Sequence, residues 1–119
     1  MSAIFRLPVV LALTVVLESA VGAETSPDRI AAGHKLAATT CGACHVVTPD
    51  SNEIPIRRPP APSFALLAKR PAVTEQYLRK LLAPNRRELG ITHSAAIPRL
   101  TDDQIDGIVA YMLSLKGVN

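Results

Sequence analysis

An all-α domain of about four helices is predicted from three features of the sequence. Apolar residues return at helical spacing in the clearest segments, Ser26 and Thr101 can cap the first and the last of them, and no segment alternates apolar and polar residues as a half-buried strand would. The chain has 119 residues, 48% hydrophobic and 19% charged, which suits one small globular domain and not a disordered tail.

The first stretch, MSAIFRLPVVLALTVVLESAVGA, carries Arg6, an apolar run from Leu7 to Leu17 and small residues at Gly22 and Ala23. That is the layout of a secretory signal peptide cut after Ala23, and the run falls short of the roughly 20 residues that span a bilayer. Residues 1–23 are therefore expected to leave and residues 24–119 to form the domain. The remaining chain keeps only Phe64, Tyr77 and Tyr111 as aromatics and has no tryptophan, a poor inventory for a core of this size.

Residues 26–40 predict the first helix, with Ser26 as cap, Pro27 at the first helical position, Asp28 complementing the dipole, and Ile30, Gly33 and Ala37 on one side. Residues 46–62 hold five prolines and predict an irregular loop, of a length that a helical domain tolerates mainly when the loop wraps something. A short helix starts at Ser63 and runs until Pro71 forbids it. A third runs from Thr74 with Tyr77, Leu78, Leu81 and Leu82 on one face, and Pro84 stops it. The last is TDDQIDGIVAYMLSLKG: Thr101 and Gln104 form a capping box, Ile105, Ile108, Val109 and Met112 make the stripe, and Gly117 supplies the stop.

The formal charge is +3. Basic residues pair at Arg57-Arg58, Lys69-Arg70, Arg79-Lys80 and Arg86-Arg87, which reads as a solvated face or as a patch that steers an acidic protein partner. Nucleic acid is not expected as a partner, since no recognition motif accompanies the charge.

Both cysteines lie in Cys41-Gly-Ala-Cys44-His45. A disulfide there would close too small a loop to restrain the unfolded chain, and a thiol–disulfide oxidoreductase would place its Cys-x-x-Cys after a strand. Covalent haem attachment employs all three reactive side chains, since each thiol adds to one vinyl group and His45 follows directly as an axial iron ligand. The haem would also be the bulk that the core lacks.

With CGACH shortly after a helix containing Gly33, and a closing helix IDGIVAYMLSLK with an aromatic at Tyr111, the chain resembles the small soluble class I c-type cytochromes of the bacterial periplasm. The resemblance covers roughly residues 27–117, with residues 46–96 alike only in general layout. It implies a cytochrome c-like fold around one haem c, a crossing of the first and last helices near Gly33 and Tyr111, and a role as an electron shuttle. It also makes Pro62, with Pro59 and Pro60 as rivals, similar to the proline whose carbonyl accepts a hydrogen bond from the proximal histidine.

The far face of the iron departs from the family. Members place a methionine before a proline there, and this chain has Ile97 before Pro98, with Met112 lying on the closing helix's apolar stripe. His93 is the substitute within reach, and imidazole is a good iron ligand. His34 reads as a surface or packing residue. Two outcomes follow: a His45 and His93 pair, which lowers the reduction potential, or an open site that admits a gas or peroxide.

The expected function is a periplasmic monohaem electron carrier between redox proteins. The alternatives are a haem protein that binds a small ligand, and a cytochrome subunit of a larger oxidoreductase. No acid–base pair or activated nucleophile appears, so no enzymatic activity of its own is expected, and the sequence leaves the oligomeric state open.

Overall fold

The protein is described by a computed structural model covering residues 26–84 and 98–118. Residues 1–23, the Arg86-Arg87 pair, His93 and Ile97 lie outside the described residues. Among those described there are four α-helices and no strand.

Helix α1 spans Pro27–Cys41, α2 Phe64–Ala68, α3 Glu75–Leu82 and α4 Asp102–Ser114. Each starts where a side-chain oxygen takes up an orphan amide of the first turn. Ser26 Oγ accepts from the Arg29 amide, Ser63 Oγ from Leu66 and Thr74 Oγ1 from Tyr77. At α4 the capping box is complete: the Gln104 amide donates to Thr101 Oγ1 at 3.3 Å, and the Thr101 amide donates to Gln104 Oε1 at 2.9 Å. The ends follow proline chemistry. Ala83 turns extended with ψ 150, as the residue before Pro84 must. Helix α2 stops at Ala68, slightly before the Pro71 barrier. Helix α4 tightens into a 3-10 turn over Leu115–Gly117, so Gly117 sits inside that turn and not beyond it.

The frame is the crossing of α1 and α4, the most extensive helix contact in the described chain. A Cβ on Gly33 would lie 1.8 Å from the Gly107 carbonyl oxygen, so the two backbones touch. The expected crossing of Gly33 with Tyr111 is thus sharpened: Gly33 meets Gly107. Tyr111, one turn on, packs against His34 with ring centroids 4.7 Å apart. Its hydroxyl donates to the Val47 carbonyl at 2.8 Å.

Helix α3 packs on α4, and α2 packs on α4 and the 3-10 turn. The core these contacts enclose is centred on α4, through Ile105, Ile108, Val109, Met112 and Leu115, and closed by Val47, Phe64, Val73, Leu78 and Leu82. Val47 and Ile108 are fully buried, each contributing roughly 1.5–3 kcal/mol. Met112, at 4% exposure, belongs to this core. His34 is half-buried and bonded through Nε2 to Thr48 Oγ1 at 2.8 Å, a packing role.

Candidate functional site

Helix α1 ends inside the site, because its last residue is Cys41. The chain then tightens: the Cys44 and His45 amides both donate to the Cys41 carbonyl, at 3.1 and 2.9 Å. A Cβ on Gly42 would fall 2.4 Å from the Ala38 carbonyl oxygen, so the first residue of the spacer must lack one. This turn presents both thiols and the imidazole to a single cavity.

The proline-rich loop then wraps the turn. Amides of Arg57, Ala61 and Phe64 donate to the carbonyls of Ala43, Cys44 and Val46, at 3.0, 2.8 and 3.0 Å. The wrap fixes His45 as well, whose Nδ1 lies 2.6 Å from the Pro62 carbonyl oxygen. A carbonyl can only accept, so Nδ1 carries the proton, and in the neutral ring Nε2 keeps its lone pair. Of the three rival prolines, Pro62 makes this bond. Phe64, at the head of α2, holds the ring edge-on at 5.5 Å.

The cavity measures about 380 Å³, within the range of ligand pockets. Behind the thiols and His45 its walls are apolar. Phe64 and Leu67 come from α2, Ile108 and Met112 from α4, and Tyr77, Leu78, Leu81 and Leu82 from α3. The face of α3 that reads as core in the sequence thus lines a cavity, which is why Tyr77 keeps 37% exposure. Arg70 is the one permanently charged residue among the described lining.

Both thiols are free and half-buried. Burial raises the Cys41 thiol above its ordinary value, with the Thr40 hydroxyl acting the other way and Cys44 adding to the rise. Redox-active cysteines commonly carry a lowered thiol, and Cys41 departs in the other direction. No group of three or more His, Cys, Asp or Glu able to hold a bare metal ion occurs among the described residues. The donor set fits a large apolar cofactor that brings most of its metal's ligands with it: two thiols one helical turn apart for covalent attachment, one imidazole nitrogen with a free lone pair, and apolar walls.

The basic pairs are not equivalent. Arg57, Lys69, Arg70 and Lys80 are exposed, but Arg79 is engaged, bonded to Asp106 and, at 2.9 Å, to Glu75. Asp106 also takes Arg29 at 3.3 Å. The Arg79 guanidinium chiefly, with Arg29, holds the Asp106 carboxyl below the usual range, against partial desolvation. Sequence reading missed Asp106 and Gly107. The glycine interrupting an otherwise apolar helix was the available signal for the second. For the first only the Glu75 and Arg79 spacing was legible.

The family model for cytochrome c matches residues 30–116. No curated protein and no solved structure matches the chain. With the cysteine-pair turn, the buttressed histidine and the apolar cleft falling inside that matched span, the chain belongs to the cytochrome c family.

Proposed function

We propose that this member is an exported, monohaem, single-electron carrier that serves larger redox proteins of the periplasm. In this reading residues 1–23 are the leader and residues 24–119 the domain. Cys41 and Cys44 would hold a haem through thioether bonds and His45 Nε2 would bind its iron. The observation that carries the reading is the 2.6 Å bond from His45 Nδ1 to the Pro62 carbonyl. It fixes the tautomer and holds the orientation of a ring that lines the cleft, as outer partners of metal-bound histidines do.

A haem held there supplies an iron that accepts and returns one electron. The chain's own residues do the rest. The turn at Gly42 sets the separation of the two sulfurs, and Phe64 and Pro62 lock the imidazole. The apolar side chains of α3 and α4 exclude water and keep the local dielectric low, which tunes the potential. The exposed cations Arg57, Lys69, Arg70 and Lys80 steer an acidic redox partner.

A second reading is favoured by one observation. The class I cytochromes that the chain resembles carry a methionine before a proline there, and this chain has Ile97 before Pro98, so His93 would supply the second iron-binding side chain or the iron would stay open to a gas or peroxide. Carbon monoxide separates these. Ferrous protein with His93 on the iron changes its spectrum little on adding the gas, whereas an open site binds it fast and tightly. His93→Ala must alter the ferric spectrum if His93 is the ligand, and an unaltered spectrum removes it. As a carrier, the protein is reduced reversibly by one electron, and its reaction with an acidic partner slows as salt rises. A rate indifferent to ionic strength contradicts the steering.

A further inference from the structure

Helix α3 is joined thinly to the rest of the described protein. It is 8 residues long, too short to persist alone, and it packs on α4 and on no other described helix. Its inner face, Tyr77, Leu78, Leu81 and Leu82, is one wall of the cavity, so displacement of α3 away from α4 opens the cleft. Among the described residues its one polar tie to another helix is Arg79, which donates to Asp106 Oδ1. The second oxygen of that carboxylate is taken by Arg29 of α1. Asp106 therefore stands at a fixed point, one residue before Gly107, where the α1 and α4 backbones touch. The glycine contact leaves the crossing no room to slide, whereas α3 is held by its apolar face and this one polar tie.

We infer that Asp106 is a positioning residue that, by gripping Arg79 from the immobile helix crossing, clasps α3 over the cleft and makes α3 the gate through which small ligands reach the cofactor. This rests on the haem reading above. Partly exposed ion pairs add little to the stability of a whole domain. Local opening of a thinly held element, however, draws on free energies of just that size.

Imidazole binding to the ferric holoprotein is the probe, read by stopped flow alongside amide hydrogen exchange. It is repeated on His93→Ala, so that departure of a His93 ligand does not set the rate. Asp106→Asn should bind imidazole about fivefold faster, and amides of Leu78 to Leu82 should exchange faster by about the same factor. Exchange in α1 and α4 should stay as it was. Asp106→Glu should largely restore both rates. Asp103→Asn, which removes an equal charge from an exposed position on the same helix, should behave as wild type. Arg79→Gln cuts only the α3 arm and should reproduce the effect even if Asp106→Asn fails to fold.

Unchanged rates in both the Asn and Gln variants overturn the clasp, as does acceleration spread evenly over α1 and α4. Protein isolated without covalent haem would fail the underlying reading instead, and where that haemless chain is still fully helical its α3 exchange alone tests the clasp.

Discussion

The α1 and α4 crossing and the cleft side built from α2, α3 and the proline loop bury their apolar faces in different ways. At the crossing, protein meets protein: Gly33 and Gly107 let the backbones touch, and Tyr111 finds both a ring partner and a carbonyl acceptor. On the cleft side, the face of α3 meets α4 with part of its apolar surface and a cavity with the rest. One half of the domain is complete as a packing problem, and the other is complete only with a guest. That is how a chain so poor in aromatics can belong to a family that carries its bulk as a cofactor.

Withholding the guest breaks the comparison most strongly. Cys41→Ala with Cys44→Ala should leave the cleft unfilled, at a cost of several kcal/mol, on the order of a small domain's whole stability. Circular dichroism should show most helicity lost, with any residue of order in α1 and α4. A fully helical, cooperatively melting double variant would mean that the cleft side packs by itself.

Gly33→Ala strikes the complete half. Its Cβ would fall 1.8 Å from a backbone oxygen that no rotamer can move, so α1 and α4 must part. The expected loss is about 3 kcal/mol, which outweighs the roughly 1 kcal/mol that alanine gains in helix propensity. Gly107→Ala meets only a 3.3 Å contact with the Gly33 Cα, so propensity and crowding nearly cancel there. Equal melting temperatures for the two variants would contradict this asymmetry.

How far such pairings could be read beforehand differs along the chain. Caps and stops are local chemistry, so Ser26, Ser63, Thr74 and the Thr101 and Gln104 box stand where the sequence places them. Periodicity gave the inner face of α3 but not what it faces, because an apolar stripe looks the same against a neighbouring helix and against a cofactor. Partners distant in sequence stayed hidden: Gly107 against Gly33, Asp106 between two arginines, Thr48 under His34. The choice of Pro62 over Pro59 and Pro60 needed the folded loop. The His93 and Ile97 segment lies outside the described residues.

Tyr111→Phe sharpens the link between the halves. It leaves the buried Val47 carbonyl without its donor, a cost of about 1–3 kcal/mol. Denaturant unfolding should show that loss with an unchanged slope. No loss would mean that water replaces the hydroxyl.

The smallest effect lies in the loop. The Thr48 amide chiefly, with the Thr48 hydroxyl and the Val47 amide, holds the Glu53 carboxyl below its usual range, against slight desolvation. A lowered folded value means that the bonds' contribution is whole above the ordinary glutamate value of about 4.3 and is lost as pH falls through the lowered one. Thermal melting should therefore drop on acidification below that range, and Glu53→Gln should flatten part of the drop. An identical pH profile in the variant would free the loop of this dependence.

The most direct test of the central claim is the mass and alkaline pyridine absorption spectrum of the protein purified from cells that mature c-type cytochromes. The account predicts a polypeptide carrying one haem through two thioether bonds, with Cys44→Ala shifted to the spectrum of a single thioether. A bare polypeptide mass, or a spectrum unchanged by Cys44→Ala, would contradict it.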